Sequence, residues 1–276
     1  MRAMLLTLLL SGTMACAQTA SIGGMGRVLR GAHAAAVVMD VASGAVTSYG
    51  AVEREAAPGS VLKPFVLKAA LDAGVMSERA TVECRGSLVV AGHNLACSHP
   101  RDITVMDARQ ALAESCNTYF AAVVRRMSRV TLLAGLRAYG LEPSGMGNTP
   151  DDRVLMALGV EGIRVSPREL AEAYRRLALE MGAEQRGTVE VVREGMVRSV
   201  ESGMAHAAFV SGMTIGGKTG TAGEANNPRS HGWFAGIVFE GTSAARVIVV
   251  YVPDGNGNDA AGLARRILLA GGRGGR

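Results

Sequence analysis

Strand-like segments at both ends of this chain bracket a long helical middle, and that order limits the fold more than any other feature. Ala34 to Asp40 is an apolar run that reads as a buried strand, and Ser43-Gly44 turns it into a second strand at Ala45 to Tyr49. From Ser60 the pattern is helical. Leu62, Phe65, Val66, Ala69 and Ala70 recur at helical spacing until Gly74, with Pro64 in the opening turn, where proline costs least. Residues 104–139 predict a run of helices broken near Ser115 and Ser128. Ser166-Pro167-Arg168-Glu169 is a capping box that opens a helix over 166–181, and Val189 to Ser202 is another. Met213–Ala222, Gly232–Glu240 and Arg246–Pro253 then read as three strands, closed by a helix over Ala260–Ala270. Early and late strands pair most economically in one sheet. The expected class is therefore α/β (α+β): a mixed, mainly antiparallel sheet flanked by helices, plus an all-helical lobe.

Composition narrows the function classes. With 48% hydrophobic and 19% charged residues the chain has ample material for a core. The net charge of +5 suits an anionic wall polymer no better than it suits an arginine-rich solvated surface. No basic run is interleaved with aromatics, which disfavours nucleic acid. The N-terminus carries Arg2, an apolar run over Met4–Leu10, and Ala15-Cys16-Ala17. That is the pattern of an export signal cleaved after Ala17, so residues 1–17 are expected to be removed and the chain to be periplasmic or extracytoplasmic. Cys16 leaves lipid anchoring open as the second reading. Residues 34–270 are expected to form one domain, and the glycine-rich 271–276 a disordered tail.

Export permits disulfides. Cys84 and Cys97 flank a hairpin-like segment, and both a bridge and a pair of reduced buried thiols are consistent with it. Cys116 is expected to be packing. His33, His93, His99, His206 and His231 show no metal-ligand spacing, so neither a metal nor a cofactor is expected.

Only three of the 29 basic residues are lysines, and two lie in short motifs. Ser60 and Lys63 are one helical turn apart, so a desolvated Lys63 amine can take the Ser60 hydroxyl proton and make it a nucleophile. Arginine could not, because its guanidinium stays protonated. The third lysine, Lys68, is expected to be solvated. Ser115-Cys116-Asn117 and Lys218-Thr219-Gly220-Thr221 complete a three-part set.

In that set the chain resembles the penicillin-binding protein transpeptidase family, of the serine D,D-peptidase and β-lactamase-like superfamily. The resemblance runs from about Ala34 to Leu269. It includes Pro58–Phe65, Ala111–Phe120, Ala157-Leu158-Gly159 with Arg164-Val165-Ser166-Pro167, and Gly232-Trp233-Phe234-Ala235-Gly236. It implies that Ser60 attacks the penultimate D-alanine carbonyl of a peptidoglycan stem peptide, with Lys63 as base. Ser115 would relay a proton to the leaving amine, and Asn117 would hold the substrate amide. Lys218 would supply positive charge, Thr219 and Thr221 would bind the substrate carboxylate, and the Ser60 and Thr221 N–H groups, beside Gly220, would form the oxyanion hole. β-Lactams would be covalent inhibitors. The chain lacks the glycosyltransferase or pedestal region of large family members, so a cell-wall partner protein is expected.

Four alternatives share part of this pattern. A D,D-carboxypeptidase would use the same residues with water as acceptor. A serine β-lactamase needs a deacylating base, but Glu169 has a capping role and Glu114 reads as a helix-surface charge. A β-lactam sensor would not need intact motifs. Gly212–Thr219 also satisfies a phosphate-loop pattern, which requires a helix directly afterwards; Ala222–Pro228 reads as a loop instead.

Overall fold

The computed structural model describes residues 24–145, 147–183, 186–224 and 227–272. The expected export signal, Cys16 and residues 273–276 lie outside them. A helical segment at 24–29 (α1) leads into β1 (Ala35–Asp40) and β2 (Val46–Tyr49). A 3₁₀ turn, Gly59–Leu62, runs directly into α2 (Lys63–Asp72), where a single helix from Ser60 was expected. The Lys63–Asp72 helix is buried on nearly every side, and Phe65 sits between the rings of Tyr139 and Tyr174 at 4.9 and 5.1 Å.

Two small sheets follow: β3 (Val82–Glu83) with β6 (Val105–Met106), and the hairpin β4 (Ser87–Val90) with β5 (His93–Ala96). The hairpin turns on Ala91 and Gly92, whose φ of 45° and 84° are the paired positive values of a tight two-residue turn.

The helical middle breaks where expected. It comprises α3 (Ala108–Ala113), α4 (Asn117–Arg126) and α5 (Arg129–Arg137), each opened by a side chain that accepts a backbone N–H: Asp107, Cys116 and Ser128. Helix α6 (Pro150–Ala157), capped reciprocally by Thr149 and Asp152, does not stand out in the sequence because its buried residues form one run, Val154–Ala157, with no helical period. Helices α7 (Pro167–Ala183) and α8 (Thr188–Glu201) match expectation.

The last third supplies β7 (Thr214–Glu224), β8 (Asn227–Glu240), β9 (Ser243–Val252) and α9 (Gly257–Gly272), which extends two residues into the expected tail. The main sheet has the order β2-β1-β9-β8-β7, and every neighbouring pair is antiparallel, so the sheet is not mixed. Its faces separate by strand alternation. Val37, Met39, Val247, Val249, Trp233 and Ile237 pack towards α2, α7 and α8. Ala36, Ile248, Val250 and Phe234 pack against α1 and α9. Both faces are covered, which is why the third late strand reads as an unbroken apolar run. Among the described residues no helix is long and apolar enough to cross a membrane.

Candidate active site

Ser60 lies in the 3₁₀ turn, and the surrounding backbone is held from four directions. Ala56 and Val165 exchange N–H···O bonds of 3.0 Å. The Ala57 carbonyl accepts from both His231 Nε2 at 2.7 Å and Trp233 Nε1 at 3.0 Å. Gly59, with φ 58°, donates to the Gly159 carbonyl at 2.9 Å, and the Tyr174 hydroxyl donates to the Val61 carbonyl at 2.9 Å. A side chain at Gly159 would overlap the Gly59 backbone, so these two strands of chain can meet only through glycine. Buried carbonyls left unpaired each cost about 1–3 kcal/mol, so this network holds the turn in one conformation.

Trp233 is fully buried packing that also donates to the nucleophile segment. The strand begins at Asn227, which carries His231 into the interior at 3% exposure.

Lys63 is fully buried at the first turn of α2. Its amine donates to the Ser115 carbonyl at 2.7 Å, to Ser115 Oγ at 3.2 Å and to Asn117 Oδ1 at 2.7 Å. It also lies 5.2 Å from the centre of the Phe120 ring. All three hydrogen-bond partners are neutral, and burial pushes the amine down to about 7. The first and second motifs therefore meet through Lys63. Ser115 occupies the link between α3 and α4 with φ 55°, a strained value for a serine, and its chain reversal lets both its carbonyl and its hydroxyl face the amine. Asn117 is oriented from both ends, since Nδ2 donates to the Ala96 carbonyl at 2.9 Å.

The third motif approaches from the other side. A Cβ at Gly220 would come within 2.6 Å of the Pro58 carbonyl and 3.3 Å of Ser60 N, and one at Gly59 would lie 3.3 Å from Thr221 N. Strand β7 thus passes against the nucleophile turn, with the Thr221 N–H beside it. Lys218 is fully buried and donates to the Thr219 carbonyl at 3.0 Å. Burial, and then the charge of Lys63, hold it well below the ordinary lysine value, with Glu114 working in the opposite direction. The Thr219 hydroxyl donates to the Met204 carbonyl at 3.4 Å, a long bond, and Thr221 Oγ1 accepts from the Gly257 N–H at 2.9 Å while keeping its own proton to donate.

Several expectations change. Glu114 is not a surface charge but a half-buried carboxyl held above its ordinary value by burial, with His99 and Lys218 opposing that shift. Lys68 is not solvated: it pairs with Asp72 at 2.6 Å and Glu180 at 3.5 Å. Glu169 does cap: its carboxylate accepts from Ser166 N at 2.8 Å, and its own N–H donates to Ser166 Oγ at 3.2 Å. The phosphate-loop reading fails because the residues after Gly217 continue as strand.

Cys84, Cys97 and Cys116 are free thiols, and the Cys84 and Cys97 sulfurs lie 3.5 Å apart, which is the second of the two readings left open for that pair. Cys116 is more than packing, because its sulfur lies 3.9 Å from that of Cys97. His99 joins them, so four potential ligand atoms lie within 4.8 Å of one another, where the sequence predicted no metal site. A search for spacing among histidines alone could not find it; the Cys97-Ser98-His99 pair was the available sign.

The same fold occurs in known proteins. The transpeptidase domain of penicillin-binding protein 3 from Burkholderia pseudomallei superposes with a TM-score of 0.78 at 20% identity, covering 94% of each chain. The D,D-transpeptidase domain of a peptidoglycan glycosyltransferase from Eggerthella lenta gives 0.76 at 19% identity, covering 91% of this chain and 80% of that one. Penicillin-binding protein 3 of Bacillus subtilis is 25% identical over 231 residues, which is 67% of this chain but 34% of that protein. The chain therefore spans about a third of that relative's length. The family model of the penicillin-binding protein transpeptidase domain matches residues 34–269, nearly the whole of the described fold. The chain belongs to the penicillin-binding protein transpeptidase domain family.

Proposed function

We propose that the protein is an active-site-serine D,D-transpeptidase that acts on peptidoglycan stem peptides through an acyl-enzyme on Ser60. The observation that supports this most is Lys63: a fully buried amine, brought down to about 7, bonded to Ser115 and Asn117 and one helical turn from Ser60. Near neutral pH much of it is unprotonated, so it can take the Ser60 proton without prior loss of a counter-ion. Ser60 Oγ then forms a bond to the penultimate D-alanine carbonyl carbon. The N–H groups of Ser60 and Thr221 stabilise the oxyanion, a task suited to donors fixed in advance by the nucleophile turn and β7.

Collapse of the tetrahedral intermediate breaks the peptide bond, and the proton taken by Lys63 reaches the leaving amine through Ser115. An acceptor amine attacking the ester regenerates Ser60 and leaves a cross-link; water in its place gives carboxypeptidase activity. β-Lactams acylate Ser60 in the same way. Export to the periplasm follows from the type of substrate and belongs to this proposal.

The direct test is incubation with a stem pentapeptide, with and without an amine acceptor. Release of D-alanine together with acceptor-dependent cross-linked product is expected. Release of D-alanine alone would reassign the activity to carboxypeptidase, and no release would end the peptidase reading.

Glu169 separates this reading from β-lactamase. Glu169→Ala should cost about 1 kcal/mol of stability, the loss of a capping interaction, seen as a lowered Tm. It should leave the lifetime of the penicillin adduct unchanged; a longer-lived adduct would make Glu169 a deacylating base.

A further inference from the structure

We propose that Cys84, Cys97, His99 and Cys116 bind one zinc ion in a closed Cys₃His site beneath the second motif. Zinc takes four ligands tetrahedrally, with Zn–S near 2.3 Å and Zn–N near 2.0–2.1 Å, so its ligand atoms sit about 3.5–3.8 Å from one another. Three of the separations lie within about 0.1 Å of that range, at 3.5 Å for Cys84–Cys97, 3.9 Å for Cys97–Cys116 and 3.4 Å for Cys84 Sγ to His99 Nε2, and all four atoms lie within 4.8 Å of one another.

The groups around these four side chains orient them for metal ligation. His99 Nδ1 lies 2.9 Å from the Pro100 carbonyl. A carbonyl only accepts, so Nδ1 carries the proton and the Nε2 lone pair faces the sulfurs. Backbone N–H groups point at two of the sulfurs, Gly86 at Cys84 (3.3 Å) and Tyr119 at Cys116 (3.4 Å), and would stabilise thiolates. On binding, each thiol gives up its proton to solvent and its sulfur lone pair to the metal.

A surface cavity of about 560 Å³, lined by Cys84, Cys97 and His99 together with Arg85 and Arg101, provides a route of entry. The arginines offset the negative charge that three thiolates leave around a divalent ion. Three sulfurs and one imidazole favour zinc over the hard cations magnesium and calcium, which take oxygen ligands. A disulfide would use two of the sulfurs and leave the other two groups without a purpose; the ion uses all four.

The position gives the ion a consequence. Cys116 stands between Ser115 and Asn117 and caps α4, while Cys97 follows Ala96, whose carbonyl holds Asn117 Nδ2. The ion would fasten the β4–β5 hairpin to the second motif.

The test is elemental analysis of the full chain after equilibration with zinc under reducing conditions and removal of excess metal. One zinc per chain is expected, falling at least about tenfold in Cys84→Ser and in His99→Ala. Cobalt(II) added to metal-free wild-type protein should give the sulfur-to-metal charge-transfer band and intense visible absorption of a tetrahedral thiolate site. Wild-type protein that retains only trace zinc and gives a weak six-coordinate cobalt spectrum would overturn the proposal, whatever the folding of the variants. So would intact mass and thiol titration showing Cys84 bridged to Cys97 in the protein as isolated. These readouts need no β-lactam or peptide, so they stand or fall apart from the Ser60 chemistry.

Discussion

Ser60→Ala is expected to abolish covalent labelling by a fluorescent penicillin and to lower peptide turnover by on the order of 10⁴-fold or more, as removal of a nucleophile does. In the proposed mechanism the adduct is a Ser60 ester, so no neighbouring group can replace the missing oxygen. Stability should barely change. Gly59 and Val61, on either side, are held through their backbones by Gly159 and Tyr174, and the nearby Ala57 carbonyl by His231 and Trp233. The check is gel fluorescence and intact mass of wild type and variant, with Tm as the control for folding. Labelling that persists in a folded Ser60→Ala protein would place the nucleophile elsewhere and end the proposed mechanism. A wild-type adduct that lasts for many turnovers of the peptide reaction fits a transpeptidase, whereas rapid release would fit a lactamase.

Lys63→Met should lower the acylation rate by about 10³-fold or more, since general-base catalysis contributes roughly 10²–10⁴-fold and this amine also positions the second motif. Its effect on stability should be of a different kind. Methionine fills similar volume and removes the cost of burying an amine, but it leaves the Ser115 carbonyl and Asn117 Oδ1 without their donor. These terms oppose each other, so Tm should move by only a few degrees while acylation collapses. Lys63→Arg tests the same point from the other side. A guanidinium keeps the charge but will not give up its proton, so acylation should remain as low as in Lys63→Met. Stopped-flow measurement of penicillin acylation decides it. A Lys63→Met protein that acylates within tenfold of wild type would remove Lys63 from the proton path.

Much of the chemistry could be read from the chain because it depends on local spacing. Ser60 and Lys63 are separated by one helical turn, and the helix that carries Lys63 has a clear apolar period. The helix break at Ser128 was legible because a residue that caps a helix competes with the helix interior, whereas the break near Ser115 is capped by the neighbouring Cys116. Helix α6 was missed because its buried residues form one run with no helical period. The 3₁₀ turn was missed because hydrophobic spacing does not separate it from the first turn of an α-helix. The fully antiparallel pairing of the sheet was not legible, because strand patterns carry no direction. Pairing decides that, and here β1 enters beside β9 from the far end of the chain.

The sequence by itself determined the order of elements and the three motifs that place the chain with the transpeptidases. It also showed the demand for a lysine where arginine is otherwise used. Tertiary structure alone decided that Lys63 is buried among neutral partners and that His231 and Trp233 steady the Ala57 carbonyl. It also drew Cys84, Cys97, His99 and Cys116 together. The reason is range. A motif within one turn is set by covalent geometry, whereas burial and a four-cornered cluster depend on packing between segments that no local pattern relates. His231 and Ala57 are 174 residues apart in the chain and 2.7 Å apart in the fold.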